Sequence, residues 1–221
     1  MHSSSNSSKV TDENCFLCGN FEDRGGYILL NQHSYVVSDI APLFPNHLLF
    51  CSRQHISSWA DMNSSALIKQ FQHLIILKEK LSNILNTKIV IFEHGGLHIG
   101  CNIICGINHA HFHLIPVPSN ENIFDGELDA FLNDANREQI IHCHDMCSIL
   151  NLNNYNFCHY LLTVDVDNSM RIFYSATQFE SQIIRKFISY KYVLTDNYNW
   201  EYFLNSDLAL TTTNLLKEIL I

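Results

Sequence analysis

The sequence predicts an α+β fold: an antiparallel sheet carrying one long helix, followed by a C-terminal α/β extension. Three observations point to it. Within residues 64–85, apolar side chains recur at Leu67, Ile68, Phe71, Leu74 and Ile75, the spacing of one helix face. Short apolar runs bounded by turn residues stand on either side of that segment. Apolar residues make up 47% of 221, enough to bury a substantial core.

The elements follow in chain order. Residues 1–14, rich in Ser, Asn and charge, read as a flexible tail. Residues 27–30 and 35–38 read as two strands joined by a short turn. Residues 47–51 read as a third, because Pro42 and Pro45 forbid helix just ahead of it. Ser and Asn residues before position 64 offer caps for the long helix. Residues 89–92 form a compact apolar strand, and Gly95, Gly96 and Gly100 make a loop able to approach a ligand closely. Residues 109–117 are a further strand, closed by Pro116 and Pro118. After Ser119 the character changes. A helix is expected within 122–136, a hairpin from 160–166 and 171–174 around Asp167 and Asn168, and a helix over 179–189. The chain thus divides into a tail (1–14), a main domain (15–118) and an extension packed on it (119–221).

A formal net charge of −9 gives no general attraction for polyanions, so a nucleic-acid polymer is a poor partner. A small nucleotide needs only local donors and stays open. Residues 1–10 carry no export-signal pattern, and no apolar run is long enough to span a membrane. The cytoplasm is therefore the expected location, where the eight cysteines are thiols or metal ligands rather than disulfides. Cys51, Cys101, Cys105, Cys143, Cys147 and Cys158 are expected to act as small apolar residues.

The most informative segment is His109-Ala110-His111-Phe112-His113-Leu114. Residues two apart on a strand share a face, so His109, His111 and His113 are expected to project together. Three readings apply. The row could be an exposed polar face. It could hold a catalytic metal by three imidazoles. Or a neutral imidazole could attack an electrophile while its neighbours orient it.

The segment resembles the signature of the histidine-triad (HIT) superfamily, which alternates His with apolar residues and continues to a proline like Pro116. A second block, from Asp39-Ile40-Ala41-Pro42 through Pro45-Asn46-His47-Leu48-Leu49, resembles the family's Asp-x-x-Pro-x-x-Pro-Gly-His-x-Leu, with Asn46 in place of glycine. His55, ahead of the helix, is also in family position. The resemblance spans about half of the chain, roughly 15–118. It implies a HIT-like sheet and helix, usually as a homodimer. It also implies a mechanism in which His111 attacks an α-phosphorus to form a nucleotidyl-histidine. His113 then contacts phosphoryl oxygens or helps protonate the leaving group, His109 orients the array, and Asp39 accepts hydrogen bonds from ribose hydroxyls. His47, Gly106 and Asn108 join the expected substrate-binding set.

Where the family usually carries amides, this chain has Glu93 and Cys105. Phe92-Glu93-His94-Gly95 resembles instead a longer branch of the superfamily, which also carries a Ser-Gln-x-x-Arg like Ser181 to Arg185 and a tryptophan like Trp200. Glu93 would repel phosphate, so it is expected to meet a hydroxyl, an amine or His94, as ligand contact or local ion pair. Gln182 and Arg185 lie three apart on one helix face. Arg185 is expected either to supply the missing phosphate contacts or to sit solvated beside Lys186.

Cys15-Phe16-Leu17-Cys18 has zinc-knuckle spacing, although two thiolates do not complete a tetrahedron. In similar HIT proteins His55 and His109 would supply the remaining ligands of a structural zinc, and the alternative is two buried thiols. The sequence leaves three functions open on a small nucleotide or nucleotide conjugate. These are hydrolysis or nucleotidyl transfer through covalent His111, nucleotide binding without turnover, and metal-dependent chemistry on the triad.

Overall fold

Eight extended segments pair into one antiparallel sheet: β1 (Ile28–Leu29), β2 (Ser34–Ser38), β3 (Leu48–Ser52), β4 (Lys88–Gly96), β5 (His111–Val117), β6 (Gln139–Ile141), β7 (His159–Val164) and β8 (Met170–Ser175). Their order across the sheet is β1-β2-β3-β5-β4-β7-β8-β6. The computed structural model describes residues 12, 15–19, 21–96, 107–133, 139–141, 159–175, 178–194 and 197–220. The fold is α+β and antiparallel, as the sequence predicts. The strands after Ser119 continue the same sheet, since β7 pairs directly with β4 from Ile91↔Val164 to Gly96↔His159.

The sheet is apolar on both faces because alternate residues of each central strand meet a different helix layer. Helix α1 (Ser64–Leu85) lays Leu67, Leu74, Leu77 and Leu81 on the face made by Phe50, Ile91, Phe112, Leu114 and Leu162. Its bounds are those the periodicity predicts. Asn63 caps it by accepting the Ala66 N–H at 3.0 Å, and Asn86 ends it in the left-handed conformation at φ 48°. The opposite face, with Val90, Phe92, Ile115 and Leu161, is covered by α2 (Gly126–Asn133) and α3 (Ile183–Lys191). Helix α4 (Ser206–Leu220) rests on β1, β2 and the 3-10 turn Glu22–Arg24.

Two boundaries differ from the sequence expectation for local reasons. Helix α3 begins at Ile183 rather than 179, because Gln182 takes a left-handed φ of 59° that no helix interior accepts. Helix α2 begins at Gly126 rather than 122, because the N–H groups of Ile123 and Phe124 are drawn instead to the Asp165 carboxylate, at 2.8 and 2.6 Å. Asp165 also takes the Val166 N–H, and its own carbonyl accepts Lys78 Nζ at 2.5 Å. This buried carboxylate fastens the segment after β5 to the β7–β8 hairpin.

Asp165→Ala should leave three backbone donors without partners and destabilise the fold by about 2–4 kcal/mol. Asp165→Asn, which keeps one acceptor oxygen, should lose less. Urea titration of the two variants beside the parent measures the difference, and equal midpoints would remove Asp165 from the fold's anchors.

Candidate functional site

Period two along β3, β4 and β5 builds the site. Leu49 stands opposite His113, Cys51 opposite His111, and Phe92 opposite His113. Those side chains, with His94 two residues beyond Phe92, share the face covered by the C-terminal helices. Between that face and α3 lies a cleft that opens to solvent. Asp39, His94, His111, His113, Gln182 and Arg185 supply its polar lining. Phe16, Ile40, Ile107 and Trp200 supply apolar wall.

The hydrogen bonds assign the ring protons. His111 Nδ1 is 2.6 Å from the His109 carbonyl, which can only accept, so Nδ1 carries the proton and Nε2 keeps its lone pair. The Leu43 N–H donates to His47 Nδ1 at 3.2 Å, so the His47 proton is on Nε2. That Nε2 is 2.9 Å from His113 Nδ1. His113 therefore accepts at Nδ1 and carries its own proton on Nε2. Phe92 stacks on the His113 ring at 4.2 Å and 11°, fixing its plane. Burial lowers the pKa of His111, pushes that of His47 down to about 3, and holds that of His113 well below its usual range. Each shift favours the neutral imidazole.

Behind them lies Asp39. Its Oδ1 accepts the Ala41 N–H at 2.8 Å and its Oδ2 accepts Arg185 Nη1 at 2.8 Å, with His47 Nε2 at 3.4 Å and His113 Nδ1 at 3.6 Å. Burial alone would raise this carboxyl, but the guanidinium, helped by His47 and His113, holds it well below the carboxylate range. The turn that delivers Asp39 and His47 needs a left-handed residue: Asn46 has φ 66°. Asparagine tolerates that conformation, which accounts for Asn46 where the family pattern carries glycine.

His109 is not in the row. The strand begins at His111, and the preceding backbone bends so that the His109 N–H meets the Ile107 carbonyl. His109 Nδ1 then sits 3.4 Å from Cys15 Sγ and 3.5 Å from Cys18 Sγ, and Cys18 Sγ is 3.5 Å from His55 Nδ1. The expected row of three imidazoles is thus two, because both ring nitrogens of His109 are occupied elsewhere: Nε2 meets the Ser52 carbonyl at 2.8 Å. These four side chains could hold a metal ion, with all their ligand atoms within 4.8 Å of one another. A second set, Asp39, His47 and His113, is equally close, but its 2.9 Å imidazole contact is a hydrogen bond and Arg185 already occupies the carboxylate.

Glu93 is corrected as a substrate contact. It lies on the other face of β4, where Oε1 accepts the Trp59 N–H at 2.9 Å and Oε2 accepts the Tyr160 hydroxyl at 2.6 Å. The glycine of this Glu-His-Gly sequence has a purpose too, since a Cβ at Gly95 would overlap the Tyr160 ring. His94 alone of the three points into the cleft, edge-on to Phe179 at 5.8 Å. Asn108 is exposed and outside the cleft lining, and His47 acts from behind His113. Gly106, Gly100, Cys101, Cys105, Cys143, Cys147 and Cys158 lie outside the described residues. Cys51 is buried, as expected of a small apolar residue.

Arg185 is buried, not solvated, and spends its donors within the protein: Nε on the Tyr198 carbonyl, Nη1 on Asp39 and Nη2 on the Ala41 carbonyl, at 2.8, 2.8 and 2.5 Å. The expected phosphate clamp is thereby corrected to an internal anchor. Gln182 accepts the Trp200 N–H at 3.0 Å and so carries that tryptophan to the cleft. Three wall residues escaped the sequence reading. Phe92 was findable from period two in β4, since it shares a face with His94. Phe16 stacks with Trp200 at 6.3 Å and 29°, and Arg24 lies over Phe16 at 4.3 Å. Neither has a local signal.

Burial pushes the Glu93 carboxyl up to about 8, against the lowering pull of its Trp59 and Tyr160 hydrogen bonds. The folded-state value is above the unfolded one, so this contribution to stability is full below about 4.5 and is lost as pH rises through about 8. Thermal unfolding between pH 5 and pH 9 should fall more steeply for the parent than for Glu93→Gln, which cannot ionise. Parallel profiles would contradict the assignment.

The family model described as "Scavenger mRNA decapping enzyme C-term binding" matches residues 14–127, just over half of the chain. No curated protein matches the sequence. Among solved structures, a HIT family hydrolase from Clostridium thermocellum is similar at 19% identity, over 50% of this chain and 96% of that one, with a TM-score of 0.37. A Hit-like protein involved in cell-cycle regulation from Bartonella henselae is similar at 15% identity, over 51% and 85%, with a TM-score of 0.38. A hypothetical histidine triad nucleotide-binding protein from Sulfolobus tokodaii is similar at 15% identity, over 43% and 62%, with a TM-score of 0.36. With the family model spanning half of its length, the chain belongs to the scavenger decapping enzyme C-terminal family, and so to the histidine-triad superfamily whose signature its sequence carries.

Proposed function

We propose that the protein cleaves or transfers a nucleotide at its α-phosphate through a covalent intermediate on His111. The observation that carries this reading is the His111 tautomer. With Nδ1–H bound to the His109 carbonyl, Nε2 is the ring nitrogen left for the cleft, neutral and ready to attack without first losing a proton. As the Nε2–phosphorus bond forms, the bond to the leaving group breaks and takes its electron pair with it. The Nδ1–H···O=C contact stabilises the positive charge that develops on the ring. His113 Nε2–H meets the negative charge instead, donating to a phosphoryl oxygen or to the departing group. Water or another acceptor then attacks phosphorus, and the pair returns to His111 Nε2. The apolar wall of Phe16 and Trp200 suits a planar base. The proposed substrate is a small nucleotide or nucleotide conjugate, not a nucleic-acid polymer, and a homodimer is the assembly that the family resemblance implies.

The Cys15, Cys18, His55 and His109 cluster is proposed as a structural zinc clip. A tetrahedron with Zn–S near 2.3 Å and Zn–N near 2.05 Å has sulfur-to-nitrogen edges of about 3.5 Å. The three measured separations are 3.4, 3.5 and 3.5 Å. The outer contacts fit as well. His109 Nε2–H donates to Ser52, which leaves Nδ1 as the ligand, and His55 Nε2 turns toward Asp12 at 3.9 Å. When bound, zinc would supply folding energy and no chemistry, since all four positions are filled by protein. The described cluster that includes a cleft histidine is Asp39, His47 and His113, and its imidazole hydrogen bond and the Arg185 ion pair oppose metal chemistry there. Among the described residues no helix is long and apolar enough to cross a membrane.

His111→Ala should abolish turnover of nucleotide conjugates (dinucleoside polyphosphates, nucleoside phosphoramidates, nucleotide sugars) while the melting temperature stays within a few degrees. Quenched reactions with α-phosphate label should trap radioactivity on the parent only. Retention of more than a few per cent of activity would sink the nucleophile assignment, and tight nucleotide binding with no turnover by the parent would mark a binding module. The purified chain should also carry close to one zinc. Cys15→Ser should lower both the zinc content and the melting temperature by several degrees, and metal analysis of unchelated protein that finds none would reject the clip.

A further inference from the structure

We infer that Arg185 is a positioning residue which, through Asp39 and His47, holds His113 in the tautomer and plane that aim its Nε2–H into the cleft. The inference rests on the phosphoryl-transfer reading only for its kinetic consequence. The geometry is a chain of contacts from α3 to β5. Arg185 is 3% exposed, and its three nitrogens meet the carbonyls of Tyr198 and Ala41 and the carboxylate of Asp39. A guanidinium held at three points has no freedom to follow a substrate. Asp39 is held as tightly, by Arg185 on one oxygen and the Ala41 N–H on the other. Its Oδ2 is the atom that stands 3.4 Å from His47 Nε2 and 3.6 Å from His113 Nδ1. The His47 proton is thereby offered to His113 Nδ1 at 2.9 Å with the carboxylate alongside.

Asp39 on this reading works on a protein imidazole rather than on a ribose. Without the guanidinium the buried carboxylate loses its strongest partner and turns to the nearest proton, that on His47 Nε2 at 3.4 Å. His113 Nδ1 then loses its donor, and with the carboxylate 3.6 Å away the His113 proton moves from Nε2 to Nδ1, which takes the donor away from the cleft. Arg185 lies far beyond residue 127, where the family match ends, so through Asp39 this reading gives the C-terminal segment a part in positioning the site.

The test uses the full zinc-loaded chain with ¹⁵N-labelled histidines. In the parent, His113 should give the nitrogen shifts of an Nε2–H tautomer. In Arg185→Met that population should fall, with the Nδ1–H or doubly protonated form appearing. Turnover of adenosine 5′-phosphoramidate should drop roughly 10- to 100-fold in kcat with KM changed by less than about threefold, the pattern of a misplaced donor. Arg185→Lys should recover part of kcat by restoring the charge without the fork. In Asp39→Asn, which leaves no carboxylate to attract the proton, the Nε2–H form should persist. If Arg185→Met does not fold, Arg185→Lys carries the comparison. A folded Arg185 variant with an unchanged His113 tautomer, or the same loss of that tautomer in Asp39→Asn, overturns the inference, whatever the activity. Altered tautomers in a protein whose His111→Ala variant still turns over would leave the inference standing and reject the nucleophile.

Discussion

The antiparallel register between β4 and β5 is the constraint on which the rest of the molecule depends. With Phe92 opposite His113, the cleft-facing residues of both strands point to one side, and Ile91 and Leu114 to the other. A slip of one residue would send His111 and His113 into the α1 core and bring Phe112 out. The burial of both faces holds the register, and the Glu93–Tyr160 hydrogen bond with the Gly95 gap fixes β4 against β7 on its other side. The Glu-His-Gly sequence that looked like ligand-binding chemistry is thus mostly a device for strand registration, with His94 its contribution to the cleft.

The structure also explains why neutral imidazoles are arrayed without a cost in unmet hydrogen bonds. His47 and His111 each have one ring nitrogen settled by a backbone partner of fixed role, the Leu43 N–H and the His109 carbonyl, and the His47 Nε2–H so defined settles His113 Nδ1. Each partner fixes a tautomer, and the tautomers alternate acceptor and donor along the cleft. A pocket built in this way meets an anionic substrate with directed dipoles rather than with mobile cations.

How much of this was legible follows from distance along the chain. Helix α1 and most of the strand expected over 109–117 were readable because their signals are local, spacing and proline, while the Asp39-to-His47 block was found by resemblance and its left-handed Asn46 came from the structure. The departure of His109 from the row was not, because it depends on a backbone bend and on sulfurs 94 and 91 residues away. Arg185 could be singled out as a cation without a place, yet its partner is 146 residues distant, and a lone arginine carries no mark of whether it will meet a phosphate or a carboxylate. Glu93 was misassigned for a different reason. Period two said only that it and His94 face opposite ways, and choosing the cleft side required knowing which face carried α1.

The aromatic wall has a consequence for the order in which the protein comes to life. Phe16 is made long before Trp200, yet the two stack on one another in the wall of the cleft. The side chains that could hold a metal ion, Cys15, Cys18, His55 and His109, are also made before β7, α3 and the tryptophan. The first five strands and this cluster can therefore come together while the cleft still lacks a wall and the Arg185 anchor. Closing so long a loop is entropically unfavourable until the sheet is complete. The cleft is thus completed only after the strands that carry its histidines.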